Sequence, residues 1–158
     1  YTSAAEVADV WLTEAVEPEV FQARLMTRMA PGIVVLAVAE APLTAPSLQQ
    51  QLAESVYAVG LPAGGDAAPL RQAVDELLAA TTLVRQRHRP KDNRSQSFDL
   101  RPLILDLAVE EREGGALNLR LRLVQSATQM GRPDDVLAAL GLEPLDARVH
   151  RVALHFAD

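Results

Sequence analysis

The chain has no cysteine. Disulfides, thiolate nucleophiles, thiolate zinc sites and iron–sulfur clusters held by Cys are therefore excluded as features of its own residues. Lysine is nearly absent too: Lys91 is the only one among 15 basic residues, so positive charge here means arginine. Aromatic residues make up 4%, which leaves the core to Leu, Val and Ala. The longest apolar run, residues 33–39, falls far short of the roughly 20 residues that span a bilayer, and the first residues lack the charged and apolar regions of a signal peptide. A cytoplasmic location without a membrane partner is the expectation. The chain opens at Tyr1 rather than Met and runs at once into an apolar stretch, so it is expected to be part of something longer.

What is present describes a folded protein. At 158 residues, with 49% hydrophobic and 23% charged residues, the chain can bury a real core as one domain or two small ones. Its net charge of −6 repels polyanions, so nucleic acid could be held only by a locally basic face. One segment is locally basic. Residues 85–101 hold Arg85, Arg87, Arg89, Lys91, Arg94 and Arg101 against Asp92 and Asp99, about +4.

Hydrophobic spacing divides the chain. Residues 7–12 alternate like a strand, Glu17-Pro18-Glu19 opens a helix whose Phe21, Leu25 and Met29 face one way, and residues 33–39 read as a short buried strand. Residues 1–40 are therefore expected to form a β-α-β unit, the back half of a truncated ferredoxin-like fold. Residues 41–54 read as a linker. From 55 onward the pattern is a strand at 55–61, a helix with Leu70, Ala73, Val74, Leu77 and Leu78 on one stripe, and a strand at 81–89. An extended segment at 98–110 follows, interrupted by Pro102, which suggests an edge or a bulge. Leu117, Leu119, Leu121 and Leu123 then alternate with Asn118, Arg120 and Arg122, predicting a strand with one buried and one wet face. A helix with Pro133 at its first position and Gly141 past its end precedes a last strand at 149–156. The fold class expected for residues 55–158 is an α+β, ferredoxin-like sandwich on an antiparallel sheet, with an insertion near residues 90–110.

Several short motifs recur along this layout. They are residues 2–11, Pro31-Gly32-Ile33, Tyr57, Phe98-Asp99-Leu100-Arg101-Pro102, Gly131-Arg132-Pro133-Asp134-Asp135-Val136-Leu137 and His150-Arg151. In order and spacing they resemble the C-terminal portion of a bacterial family of radical SAM-linked proteins, a domain of unknown function. The resemblance implies a radical SAM protein as partner, no assigned reaction and two tandem ferredoxin-like units. It also implies a preceding segment with Ser-His-Leu-Asp and Gly-Phe-Asn-Pro-His-Pro motifs. Leu100 stands where isoleucine is commoner in the family. Without cysteine, this chain cannot itself carry the radical SAM cluster.

Two arginine sets are candidate anion sites. If strands 81–89 and 117–123 are neighbours, Arg85 and Arg87 share an open face with Arg120 and Arg122, a stripe able to hold phosphates. Alternatively that face is only solvated charge. Arg101, Arg132 and Arg151, each beside Asp99, Pro102, Pro133 or His150, either converge on an anion or pair with local acids and brace the turns. His88, His150 and His155 do not suggest a metal site, since an odd step puts His150 and His155 on opposite strand faces. No nucleophile triad, paired-carboxylate motif, phosphate-cradling glycine loop or dinucleotide fingerprint is present. No cofactor is expected. The function expected is a non-catalytic accessory domain that binds RNA or another anionic substrate for its radical SAM partner; the alternative is a scaffold that docks that partner and touches no nucleic acid.

Overall fold

The leucine alternation forms the centre of the protein. In the computed structural model, which describes residues 1–89 and 94–157, Leu119, Leu121 and Leu123 are fully buried while Arg120 and Arg122 between them are exposed. This strand, β6 (Leu117–Val124), lies in a five-stranded sheet with β1 (Thr2–Ser3), β2 (Leu52–Gly60), β5 (Ile104–Glu111) and β7 (Arg148–Phe156), in the order β1-β7-β2-β6-β5. The last four pair antiparallel, and β1 adds a short parallel edge to β7. Taken in chain order, β2, β5, β6 and β7 stand 4-1-3-2 across the sheet, the arrangement of a ferredoxin-like α+β sandwich.

Its helices are α3 (Ala67–Ala79) and α4 (Pro133–Ala139). Asp66 caps α3, its carboxylate accepting from the Ala68 N–H at 3.0 Å. Pro133 starts α4 at a position where the missing N–H costs nothing, and Gly141, at φ +73°, follows its end. Val74 and Leu77 of α3 and Val136 and Leu137 of α4 pack with Tyr57, Val59, Leu107 and the β6 leucines in one core.

The second strand of the sandwich is β5, not the segment expected at 81–89. That segment is β3 (Val84–Arg89), which pairs only with β4 (Arg94–Asp99) in a separate two-stranded sheet inserted between α3 and β5. The reason is burial. Beyond Val84, β3 offers Arg85, Gln86 and Arg87 in place of an apolar face, whereas β5 presents Ile104 and Leu107 to the core. Pro102 sits in a 3-10 turn ahead of β5, and β5 is both an edge strand and bulged, its register shifting between Ile104 and Asp106. With Asp106, Glu110 and Glu111, these features blunt the edge against further pairing.

The chain divides into Tyr1–Val7 with Leu48–Asp158, and Ala8–Ser47. The second unit holds the expected helix, α1 (Pro18–Met26), with Pro18 at its start and Phe21 and Leu25 half-buried. The flanking stretches expected as strands, residues 7–12 and 33–39, form no ladder among the described residues, and Trp11, Val34 and Leu36 are exposed. Gln22 ties this unit together, donating to the Val35 carbonyl at 2.8 Å. At the unit boundary a single-turn helix, α2 (Leu48–Gln51), leads into β2.

Candidate functional site

Strand register sorts side chains between the two faces of the sheet. Opposite the helices, three rows run across the strands: His150, Ala58, Arg120 and Ala108; Arg148, Gly60, Asn118 and Glu110; and Ala153, Val56, Arg122 and Asp106. Arg120, Arg122 and Arg148 are exposed. Arg122 meets Glu54 at 3.3 Å, a solvated pair of the kind that contributes little. Arg120 has alanines as cross-strand neighbours on both sides, so its guanidinium stands over a low, bare floor. His150 shares that row, its Nδ1 2.8 Å from the Thr2 hydroxyl. These three rows thus carry three arginines and a histidine toward β7 and β6, with Asp106 and Glu110 along the β5 edge. Arg148 was not singled out from sequence; an even step back from His150 along β7 would have found it.

Arg85 and Arg87 do not join this face, because their strand lies outside the main sheet. Arg85 is half-buried, with one amine 3.4 Å from the Val84 carbonyl. Arg87 packs its guanidinium over the Phe98 ring at 4.5 Å, donates to the Met130 carbonyl at 3.3 Å and pairs with Asp135 of α4. Its Nε is buried without a partner among the described residues. Lys91 and Asp92 lie outside the described residues, as do the side chains of His88, Arg89 and Arg94.

Arg101, Arg132 and Arg151 also do different jobs. The Arg101 guanidinium donates to the Leu78 carbonyl at 3.1 Å and the Ile104 carbonyl at 3.0 Å, joining the end of α3 to the start of β5. Asp99 accepts from the backbone N–H groups of Leu83 at 2.7 Å and Arg101 at 3.1 Å, closing the hairpin base. The Asp99-Arg101-Pro102 motif is therefore a brace. Arg132 precedes α4 with its side chain exposed. Arg151 turns to the helix side, over the Tyr57 ring at 5.7 Å and 3.0 Å from Glu6.

Asp134 takes the Tyr1 hydroxyl rather than an arginine. Partial burial of that hydroxyl, and then the Asp134 carboxylate, hold the Tyr1 pKa well above its ordinary value, so it stays a proton donor. His150 and His155 do share a face, contrary to the odd-step expectation. Arg151 and Ala153 pair with consecutive residues of β2, so Val152 is an extra residue that resets the alternation. The two histidines oppose Ala58 and Glu54, about 13 Å apart along the strand, too far to share a metal ion. Among the described residues no group of three or more His, Asp or Glu side chains could hold one, and no helix is long and apolar enough to cross a membrane. A groove of about 470 Å³ between the β2–α3 loop, Leu70, Leu140 and Leu142 is apolar, with Asp66 its one charged lining residue, and offers nothing to an anion.

Residues 1–133 match the profile of a family described as an uncharacterised protein conserved in bacteria (DUF2344). The chain belongs to this family. The DUF2344 match takes in the inserted hairpin, β5 and β6, and with them Arg85, Arg87, Arg101, Arg120, Arg122 and Arg132. It ends at Pro133, so Arg148, His150 and Arg151 of this DUF2344 protein lie beyond it. No curated protein and no solved structure matches the chain.

Proposed function

We propose that this chain is a non-catalytic accessory domain that binds the phosphate backbone of RNA through the open face of its sheet and serves a radical SAM partner. The observation that carries the reading is Arg120, exposed at the centre of that face between two alanines, with Arg122 and Arg148 in the adjoining rows. Exposed guanidiniums spaced over a flat floor suit phosphate oxygens, to which they can donate in pairs. The chain as a whole is acidic, so such a face is a local attraction set in a repulsive field. The radical SAM partner is supported by the motif resemblance.

Fluorescence anisotropy with total bacterial RNA over a series of salt concentrations tests the reading. Three phosphate contacts predict a slope of log K against log salt of roughly −2 to −3. Arg120→Gln combined with Arg148→Gln should flatten that slope by about 2. Binding that ignores salt, or its absence, overturns the proposal.

A second reading has its own observation. Trp11 is 71% exposed and Leu36 79% exposed in a unit whose helix buries no residue, and exposed apolar surface is commonly covered by a protein partner. On that reading Trp11→Ser abolishes co-purification with the radical SAM protein, while Arg120→Gln leaves it intact.

A further inference from the structure

We infer that the RNA this face accepts is double-stranded; the inference rests on the RNA-binding reading above. The three open-face rows contain no Phe, Tyr or Trp. Tyr57, the aromatic residue of β2, belongs to the buried core on the helix side, and Phe98 lies under Arg87 in the inserted hairpin. Sheets that grip single strands do so by stacking unpaired bases on aromatic rings, each base adding about tenfold or more in affinity. Here Ala58, Ala108, Ala153 and Gly60 occupy the positions where rings would stand. Unpaired bases have no stacking platform there, and a single strand must also be ordered on binding.

A duplex suits the same surface. Its bases are already stacked on each other, its phosphates are presented by a rigid frame, and protein reads it by shape and backbone rather than by sequence. Its denser charge releases more counterion per contact, a slope of about −0.9 per phosphate in duplex against about −0.7 in single strand. Arg120 and Arg122 stand about 7 Å apart along β6, and Arg148 lies two strands away, about 10 Å across the sheet. That spread covers neighbouring phosphates on one strand. Asp106 and Glu110 line the β5 side of the same rows, so repulsion there confines the backbone to a path over β6, β2 and β7.

The test compares a 20-base-pair RNA duplex with a 20-nucleotide unstructured RNA by anisotropy, using the whole chain. The duplex should bind at least about tenfold tighter, and Arg120→Gln should reduce its salt slope by about 1. Ala58→Phe places one ring on the floor beside Arg120. It should raise single-strand affinity several-fold and leave duplex binding unimproved, with circular dichroism confirming the fold. Equal or tighter binding of the single strand by the unaltered chain overturns the duplex inference and leaves the RNA reading standing. If neither RNA binds, the RNA reading falls and takes this inference with it.

Discussion

Arg87 on β3 reaches Asp135 in the first turn of α4, and this pair fastens the inserted hairpin to the sandwich. Both side chains are mostly buried, 24% and 19% exposed, and Arg87 also holds the Met130 carbonyl and covers Phe98. Removing a hydrogen-bonded partner from a charge of this kind leaves the other group desolvated and unpaired, a loss of roughly 1.5–3 kcal/mol. Asp135→Asn should therefore lower unfolding stability by about that much and speed amide exchange across β3 and β4 more than in β6. A double-mutant cycle with Arg87→Met separates the pair from the smaller effect of a carboxylate on the helix dipole. Unchanged hairpin exchange would show that Leu83, Phe98 and Leu100 hold the hairpin by themselves.

Arg101 gives the opposite kind of prediction. Its guanidinium satisfies the carbonyls of Leu78 and Ile104, so Arg101→Met orphans two acceptors and should cost about 2–4 kcal/mol in denaturant unfolding. Arg101→Lys should not restore the loss, since one ammonium cannot reproduce the planar fork that spans both oxygens. RNA affinity per folded molecule should stay the same. A selective loss of binding without a loss of stability would return Arg101 to the list of ligand-contacting residues.

The parts of this fold that were legible in sequence are those where a local pattern and the tertiary environment agree. The alternation of Leu117 to Leu123 with Arg120 and Arg122 names a strand and its two faces at once, and Pro133 and Gly141 bracket α4 by backbone chemistry alone. The choice between residues 81–89 and 104–111 as the second sheet strand is not local. Both have strand propensity, and the winner is decided by which can bury an apolar face against the helices. Residues 7–12 and 33–39 show the same limit, since β-branched runs become strands only when a neighbour supplies the ladder. For the candidate site, Arg120 and Arg122 followed from period two. His155 did not, because the extra residue at Val152 inverts the alternation of β7 beyond Arg151, and a bulge leaves no mark in side-chain spacing.

Ser55 is fully buried on the helix side of β2, its cross-strand neighbours are Leu123 and Leu154, and its hydroxyl has no partner among the described residues. A desolvated hydroxyl without a hydrogen bond is a net cost of about 1–3 kcal/mol. Ser55→Ala deletes the oxygen and leaves only a small void. Stability should rise by about 0.5–1.5 kcal/mol, read as a higher denaturation midpoint with an unchanged m-value. A fall in stability would mean the hydroxyl is satisfied in solution, by a bound water for instance.

Gly131, just ahead of Arg132, is buried where the chain passes over the start of β5. A Cβ there would stand 3.0 Å from the Leu103 carbonyl oxygen, 3.1 Å from the Leu123 Cβ and 3.3 Å from the Leu103 Cβ. The nearest of these atoms is backbone, in the 3-10 turn that Pro102 and Arg101 brace, and Leu123 is fully buried in β6, so neither can step aside cheaply. The Gly131 N–H also donates to the Val124 carbonyl at 2.9 Å, which ties its position to β6. Gly131→Ala should therefore destabilise by about 1–3 kcal/mol through overpacking, and for a domain of this size lower the melting midpoint by roughly 3–10 °C. The damage should be local first: faster exchange of the Gly131 amide and of the first amides of β5, ahead of any change in α3. A stabilised Gly131→Ala protein, the result expected if glycine acts there only through unfolded-chain entropy, would show that the turn yields and that the close approach of these three atoms is not what the position requires.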